Sequence, residues 1–379
     1  MVYKLLVKSR LITFLVTGKS PKTKSFPNLI VVSAEVQSGD AVSSSYLKWA
    51  GGKSKVAPIL LEKFTKTGRL CREDWIVSDE RCYHEWFSGS FSMYFALKER
   101  GFISNNAENH LNDFSQALIN SARVIKKMTS KTIFKQLEQL RTKYITSLGG
   151  KEIPRNETPS VRNKRYYYEI RKEFNILNRI LTSKKKLSQT QELRLCCLMI
   201  FLNKTCFNGI YRVNKKGDMN VPEGDYPELP TIRTEKEIIN CARLLENSHL
   251  YSGDWKEVAH LAKKGDLIYI DPPYAKSSKK NGFTTYSTKA FLEFDQIEVA
   301  KEACRLVKEK GCRVIASNSG TKWVRDMYKE AANDAGVQIL FRHIMVARPA
   351  NRNGKGRGKV PELLIFIFSL NHQSNSKGD

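Results

Sequence analysis

The chain has 379 residues, and its 64 lysines and arginines against 38 aspartates and glutamates give a formal net charge of +26. Its length and its 41% content of hydrophobic residues are those of a soluble globular protein with one large domain or two moderate ones. The positive charge favours a polyanionic partner, with nucleic acid first and an acidic membrane surface second.

The eight cysteines include no Cys-x-x-Cys pair, and no histidine lies at zinc-finger spacing, so we predict no metal site. Scattered cysteines in a lysine-rich chain are typical of a reducing compartment, which predicts a cytoplasmic protein. The apolar run from Leu11 to Val16 is too short for a membrane span or a signal segment. We therefore expect no membrane segment, and a short strand or a disordered extension over residues 1–45.

Residues 54–66 place four apolar side chains on one helical face, with a proline in the first turn. The preceding Gly52-Lys53-Ser54 resembles the end of a phosphate-binding P-loop. The full P-loop pattern needs glycine at position 47, where this chain has Leu47, so an ATPase is excluded.

Residues 82–87 are a plausible strand, and Ser88-Gly89-Ser90 a tight turn. This turn has too few glycines for a dinucleotide-binding site, so a nicotinamide-dependent enzyme is not supported. Asp113 follows at a distance where an acidic residue commonly binds ribose hydroxyls. Alternatively, Asp113 is the N-cap of the next helix.

From residue 128 to 245 helical patterns dominate, over 166–181 and 189–203, and Ser188 with Gln191 has the spacing of a capping box. Residues 206–221 then alternate basic and aromatic side chains around a predicted hairpin turn at Lys216-Gly217. Such alternation is typical of surfaces that bind nucleic acid, although a solvated hairpin is the alternative. We interpret the whole segment as an inserted module.

The apolar run Leu267–Ile270 ends abruptly at Asp271-Pro272-Pro273-Tyr274. A continuous apolar run of this length predicts a buried parallel strand, and the prolines must end it. Ligands of open α/β sheets bind just beyond the carboxyl ends of strands, which places Asp271 where chemistry would occur. The alternative is a proline turn with a solvated aspartate.

Further strands are predicted over 313–316, 338–345 and 362–368, the last two antiparallel, and Asp295 is the predicted cap of the helix before them. Residues 348–359 form a glycine-rich loop with five positive charges. This loop is either a solvated tip or a segment that follows DNA phosphates.

Together these segments resemble the Dam-type adenine-specific DNA methyltransferases, from Tyr46 to about Leu370. The matching segments are Lys48-Trp49-Ala50-Gly51-Gly52-Lys53, Glu85-Trp86-Phe87-Ser88-Gly89, Leu111-Asn112-Asp113, residues 203–212, Asp271-Pro272-Pro273-Tyr274 and Ser317-Asn318-Ser319. The resemblance implies an α/β fold: a Rossmann-like sheet of the S-adenosylmethionine-dependent methyltransferases with a C-terminal antiparallel hairpin and an inserted, mainly helical DNA-recognition domain. The implied division is 1–45 extension, 46–127 and 246–370 catalytic domain, 128–245 recognition domain and 371–379 polar tail.

The resemblance also implies methyl transfer from S-adenosylmethionine to N6 of a flipped-out adenine in double-stranded DNA. It assigns catalysis to Asp271, Pro272, Pro273 and Tyr274. It assigns cofactor binding to Trp49, Ala50, Gly51, Lys53, Phe87, Gly89, Asp113, Asp254, Trp255 and Asp271. It assigns DNA binding to Phe207, Asn208, Ile210, Arg212, Asn214, Lys215, Lys216, Arg352, Lys355 and Arg357.

Two features depart from the family pattern: Phe91 replaces a glycine of the cofactor turn, and Trp86 replaces a proline. Residues 107–110 are also polar for a strand. One alternative is an N4-cytosine or RNA methyltransferase, since both share the Pro-Pro-Tyr chemistry. Another is a DNA-binding relative that has lost catalysis through Phe91. A cytosine-C5 enzyme is not supported, because the chain has no Pro-Cys pair. Phe207, Asn208, Ile210 and Arg212 match family members that methylate GATC-like sites, whereas the acidic segment 223–228 leaves the flanking preference open.

Overall fold

The computed structural model describes residues 2–7, 10–15, 45–49, 52–53, 56–64, 69–147, 165–183, 185–224, 226, 232–274, 291–347 and 359–369. The chain divides into two compact units, Met1–Asp40 and Ala41–Asp379. In the first unit, strands β1 (Val2–Val7) and β2 (Arg10–Leu15) pair antiparallel, which confirms a short strand near the N-terminus. Across the described residues, none of the helices combines the length and apolar character that a membrane crossing requires.

A seven-stranded sheet in the order β5-β4-β3-β6-β7-β9-β8 forms the centre of the second unit. The first five strands in this order are parallel, and the last two pair antiparallel. The strands are β3 (Tyr83–Glu85), β4 (Asn109–Asp113), β5 (Ser248–Ser252), β6 (Leu267–Ile270), β7 (Arg313–Ser319), β8 (Gln338–Ala347) and β9 (Lys359–Phe368). The predicted α/β sheet with a C-terminal antiparallel hairpin is confirmed.

Strand β6 has an unbroken apolar sequence because both of its faces are covered. Leu267 and Tyr269 belong to one buried cluster, whereas Ile268 and Ile270 belong to another. Successive side chains of a strand point to opposite faces, so each cluster lies on its own side of the sheet. The strand ends at Ile270, as the prolines predict.

The chain changes direction across the sheet between β3 and β6. From β3 it proceeds outward to β4 and β5, and it later returns to β6 and proceeds the other way to β7. Such a reversal opens a crevice at the carboxyl ends of the two strands, where α/β sheets bind ligands. The segments after Glu85 and Ile270 meet at this crevice.

Ten helices surround the sheet in the described residues. They are α1 (Val56–Leu61), α2 (Ser92–Glu99), α3 (Gln116–Lys127), α4 (Ser130–Ser147), α5 (Arg165–Thr182), α6 (Gln189–Thr205), α7 (Glu235–Leu244), α8 (Lys256–Ala259), α9 (Glu293–Lys310) and α10 (Lys322–Ala335). The predicted helices over 166–181 and 189–203 correspond to α5 and α6, and the capping box of Ser188 and Gln191 is present.

Two predicted N-caps are wrong by a few residues. Helix α9 begins after Leu292, and Asp295 instead accepts a hydrogen bond from the Leu292 backbone N–H at 2.7 Å. Helix α3 is capped by Ser115, whose side chain accepts from the Leu118 N–H, so Asp113 is not the cap. Of the two alternatives for Asp113, the N-cap is excluded and ribose binding stays a prediction.

The inserted helices share a hydrophobic core with one face of the sheet. Leu137 of α4, Tyr167 of α5 and Phe201 of α6 lie in the same buried cluster as Tyr83 and Tyr269 of the sheet. Helix α6 packs directly on α3, which follows β4. Movements of these helices are therefore coupled to the sheet through a common packed interior.

Candidate active site

Asp271 directly follows β6, and both of its carboxylate oxygens are held. Lys53 Nζ lies 2.9 Å from Oδ2, and Ser317 Oγ donates to Oδ1 at 2.9 Å. Tyr269 lies 2.8 Å from the same Ser317 oxygen. Because Ser317 uses its only hydroxyl proton on Asp271, the Tyr269 hydroxyl donates to Ser317. Lys53, Ser317 and Tyr269 together fix the orientation of the Asp271 carboxylate.

Two opposing effects set the ionisation of Asp271. Burial raises the pKa of its carboxyl above the ordinary aspartate value, whereas the Lys53 ammonium and the Ser317 hydroxyl lower it. Burial is the largest of these effects, so the net pKa shift is upward. Lys53 is the positive charge that opposes protonation of Asp271.

Glu362 on β9 is a member of this site that the sequence patterns did not identify. The Tyr274 hydroxyl donates to Glu362 Oε2 at 2.9 Å, and Lys53 Nζ lies 4.0 Å from the same oxygen. Lys53 Nζ also lies 4.9 Å from the centre of the Tyr274 ring. In the sequence, Glu362 stands out only as the single acidic residue at the start of the apolar run 362–368. Its carboxylate, buried beside Asp271, anchors Tyr274.

The two prolines have different environments. Pro272 is buried, whereas Pro273 is exposed and its carbonyl oxygen accepts a hydrogen bond from Gln296 Nε2 at 2.5 Å. Gln296 in turn accepts from Asn318 Nδ2 at 2.9 Å. Helix α9 and strand β7 thus hold the loop that follows β6 in place.

The turn after β3 lies beside this loop and depends on a glycine. Gly89 has φ of +49°, and its N–H donates to Asp113 Oδ2 at 2.9 Å. Asp113 Oδ1 accepts from the Ser115 N–H at 2.9 Å. Burial raises the pKa of Asp113, and these two N–H groups oppose the shift. A carboxylate has more lone pairs than these two bonds use, so Asp113 can still accept from a ribose hydroxyl.

Aromatic rings surround this turn. A Cβ on Gly89 would lie 3.0 Å from Trp49 Cδ1, and Trp49 stacks on Tyr211 with ring centres 5.2 Å apart. Phe87 meets Phe291 edge to face with ring centres 5.6 Å apart. The turn therefore lies among aromatic ring surfaces, which suit a cofactor that has a flat base and a positive charge.

Trp255 and Asp254 follow β5 at the same edge of the sheet. Trp255 is 7% exposed and stacks on Trp86 with ring centres 5.0 Å apart. Asp254 Oδ1 accepts from the Lys256 N–H at 3.1 Å. Trp86, which replaces the family's proline, therefore packs against Trp255.

Phe91 does not enter the cofactor turn. Its side chain is fully buried and packs near Tyr46 and Phe95, with ring centres 6.4 and 6.1 Å away. Its φ of 60° is left-handed, which explains why glycine is favoured at this position. The large side chain points into the core, and the effect of Phe91 on cofactor binding stays a prediction.

The predicted recognition segment follows α6. Phe207 is 41% exposed, Arg212 is exposed, and Ile210 and the left-handed Asn208 are half-buried. Asn203 connects this segment to the cofactor motif, since it accepts from the Lys48 N–H and donates to the Lys48 carbonyl, both at 2.7 Å. The buried Asn203 amide therefore joins the predicted recognition segment to the predicted cofactor motif.

The predicted hairpin is held by two isolated bridges, Val213 to Met219 and Cys206 to Glu223, rather than by a pair of regular strands. Asn214 Oδ1 accepts from the N–H groups of Lys216 and Asp218 at 2.9 and 3.1 Å, so this side chain shapes the turn. Lys215 and Lys216 are exposed at its tip. Ala50, Gly51, Arg352, Lys355 and Arg357 lie outside the described residues.

Comparison with known proteins identifies the family. The family model for D12 class N6 adenine-specific DNA methyltransferases matches residues 49–342. This chain belongs to that family. It is 31% identical to the type II methyltransferase M.MjaIII of Methanocaldococcus jannaschii over 85% of this chain and 98% of that protein. It is 29% identical to a DNA adenine methylase of Serratia marcescens, over 85% and 97%, and 28% identical to one of Vibrio cholerae, over 87% and 98%.

The methyltransferase thus transfers a methyl group from S-adenosylmethionine to N6 of adenine in DNA. The family description specifies adenine N6 rather than cytosine N4, and DNA rather than RNA. The family predicted from the sequence motifs is confirmed. The roles of the individual site residues stay predictions.

Proposed function

We propose that the Asp271 carboxylate and the Pro272 carbonyl accept the two N–H hydrogens of adenine N6. The fixed carboxylate at the switch point, with Lys53 and Ser317 each 2.9 Å away, is the observation that carries this proposal. Each oxygen retains a lone pair for a further donor. Because the Asp271 carboxylate is already oriented before the substrate binds, the site does not have to reorganise during the reaction.

The chemistry requires these acceptors because the N6 lone pair is delocalised into the adenine ring. Acceptors on both hydrogens localise the lone pair and direct it away from the ring plane. S-adenosylmethionine supplies an electrophilic methyl group when it is bound. Positioning and electrostatics are sufficient for such a direct transfer, and no covalent intermediate with the protein is needed.

We infer that the substrate is duplex DNA and that the target adenine flips out of the helix. The N6 amine is out of reach of an active site while the base is stacked. Tyr274 is suited to hold a flipped base, since Glu362 anchors its hydroxyl and Lys53 lies over its ring. With Lys53 over one ring face, the adenine would stack on the opposite face.

The cofactor would lie over the turn after β3. Trp49, Lys53, Phe87, Gly89 and Asp113 are assigned to it, together with Asp254 and Trp255 at the end of β5. The positive φ of Gly89 and the lone pairs left on Asp113 support this assignment. All eight cysteines are free thiols, which supports action in a reducing compartment such as the cytoplasm.

Sequence recognition is assigned to residues 207–216. Phe207 is exposed enough to fill the gap left by a flipped base. Arg212 is suited to guanine, and Asn208 and Ile210 complete the pattern of a GATC-like site. Residues 128–245 would then act as the DNA-recognition domain, with Asn214 shaping its turn.

The deciding experiment is single-turnover methylation of duplex DNA by Asp271→Ala and Asp271→Asn, followed by nucleoside analysis. We expect a loss of about a hundredfold or more for both variants, with DNA binding retained. Asp334→Ala, which removes an exposed carboxylate near the far end of α10, is the control and should react normally. A near-normal rate for either Asp271 variant would overturn the catalytic assignment.

A further inference from the structure

Three histidines lie side by side on the adjacent strands β3, β4 and β5. The register pairs His84 of β3 with His110 of β4, and His110 with His249 of β5. The rings of His84 and His110 stack with centres 4.7 Å apart, and those of His110 and His249 with centres 5.2 Å apart. His84 and His110 are buried. This row explains why residues 107–110 are polar although a strand begins there.

Each of the two buried histidines has one ring nitrogen bonded and one without a partner. His84 Nε2 lies 2.8 Å from Asp266 Oδ2, while His84 Nδ1 has no hydrogen-bond partner. His110 Nδ1 lies 3.0 Å from the Tyr251 hydroxyl, while His110 Nε2 has none. A buried polar atom without a partner has lost its hydration with no hydrogen bond in return, so two such atoms in contacting residues require an explanation.

A buried cysteine completes the group. Cys82 lies two residues before His84, on the same face of the sheet, and is a free thiol. One donor atom from each of Cys82, His84 and His110 lies within 4.8 Å of the other two. Thiolate and imidazole are the ligands that zinc prefers in proteins.

We propose that Cys82, His84 and His110 bind a divalent zinc-like cation at the amino ends of the parallel strands. This departs from the absence of a metal that cysteine spacing predicts. The active site lies at the opposite, carboxyl ends, so the cation would be structural. It would tie β3 to β4, and through Asp266 to β6.

The surroundings match those of known metal-binding histidines. Such a histidine usually directs its second ring nitrogen to a carboxylate or another polar group, as His84 does to Asp266 and His110 to Tyr251. The ring nitrogens without a partner, His84 Nδ1 and His110 Nε2, are thereby left as the available metal ligands. Both ring environments therefore favour metal binding.

Glu108 lies near Cys82 and would have to move towards His84 and His110 to become a fourth ligand. Its Oε2 lies 3.8 Å from Cys82 Sγ, and its other oxygen is 2.7 Å from His249 Nε2. Zinc bonds of about 2.0–2.3 Å bring ligand atoms to roughly 3.3–3.6 Å from one another. Binding would therefore bring the donor atoms of Cys82, His84 and His110, which lie within 4.8 Å of one another, closer together.

The test uses the full-length protein, stripped with chelator and then dialysed against micromolar Zn²⁺ or Co²⁺. We expect one metal ion per chain, a thiolate-to-cobalt charge-transfer band, and a higher Tm with zinc than with chelator. Cys82→Ser should lose the band and the zinc-dependent rise in Tm. Asp266→Asn should weaken zinc binding by about 10–100-fold, because it removes the carboxylate that orients His84.

Cys304→Ser is the matched control, since Cys304 is also a buried free thiol but lies in α9. It should bind cobalt with the wild-type spectrum. Failure of the wild type to bind either metal would overturn the proposal, and so would an unchanged band in Cys82→Ser. If Cys82→Ser does not fold, His110→Gln serves instead, and the wild-type cobalt spectrum alone still decides whether a thiolate is a ligand.

Discussion

At the scale of single residues, the Lys53–Asp271 ion pair governs how the site should respond to pH. In the proposed mechanism Asp271 accepts from adenine N6, for which its ionised form is the stronger acceptor, and burial already raises its pKa. Lys53, 2.9 Å away, lowers that pKa. The rate of methyl transfer should therefore fall as the pH decreases through the pKa of Asp271.

Lys53→Met should raise the pKa of Asp271 further, because it removes the opposing positive charge. The acid limb of the single-turnover rate should move to higher pH, so the variant loses proportionally more activity at low pH than at high pH. The rate is measured across pH at saturating S-adenosylmethionine. Lys53→Arg keeps the charge and should leave the limb near its wild-type position. An acid limb unchanged in Lys53→Met would show that Lys53 does not control this ionisation.

A second residue-scale prediction concerns Gly89. Gly89→Ala should weaken S-adenosylmethionine binding by about tenfold or more, because the new methyl group strains a φ of +49° and lies 3.0 Å from Trp49. Calorimetric titration of the cofactor measures the effect. Gly101→Ala is the control: its φ is +70°, but no atom lies within 4 Å of its added methyl group. Both variants should lose about 1–2 kcal/mol of stability from the left-handed backbone, whereas only Gly89→Ala should lose cofactor affinity.

At the scale of elements, the segment from Phe207 to Lys216 is expected to decide sequence choice. Among the described residues, Arg212 donates through Nε to Asn220 Oδ1 at 2.9 Å, which leaves its terminal nitrogens for a base. Two parallel donors match the O6 and N7 acceptors of guanine. The anchored Nε would hold them in a fixed direction.

Arg212→Ala should therefore cost about 1–3 kcal/mol of discrimination at one guanine and relax the preference there. The measurement is methylation of a randomised duplex library by the wild type and the variant. Lys216→Ala, at the exposed tip of the same turn, should lower activity evenly over all sequences. Identical motifs for wild type and Arg212→Ala would exclude Arg212 as the reader of guanine, and a wild-type motif without guanine beside the modified adenine would exclude a GATC-like site.

At the scale of the whole molecule, the net charge of +26 predicts DNA binding that weakens steeply with salt. Lys215→Ala with Lys216→Ala should reduce the slope of log affinity against log salt by about 2, or about 1 for each phosphate contact. The matched control is Lys263→Ala with Lys264→Ala. These two exposed lysines also precede a glycine in a turn, but at the amino edge of the sheet. Equal salt slopes for the two double variants would mean that Lys215 and Lys216 contribute no more to DNA binding than Lys263 and Lys264 do.

The sequence by itself determined the family, the position of the candidate catalytic segment and most of the elements. Leu267–Ile270 is apolar throughout and prolines follow it, so a buried strand that ends just before Asp271 was predictable from local rules. The capping box at Ser188 and the antiparallel strands at the C-terminus were predictable for the same reason. In each case the physical cause lies within a few residues of its effect.

Only the tertiary structure decided which side chains meet. Glu362 and Ser317 reach Asp271 because β9, β7 and β6 are neighbours in the sheet, and nothing in local spacing indicates this. Phe91 turns into the core because its left-handed backbone directs its side chain away from the cofactor turn. Cys82 and His110 are brought together by the register of two parallel strands, across a separation that no short motif can encode. Local sequence determines where each strand ends, whereas packing between distant segments determines which side chains meet at that end.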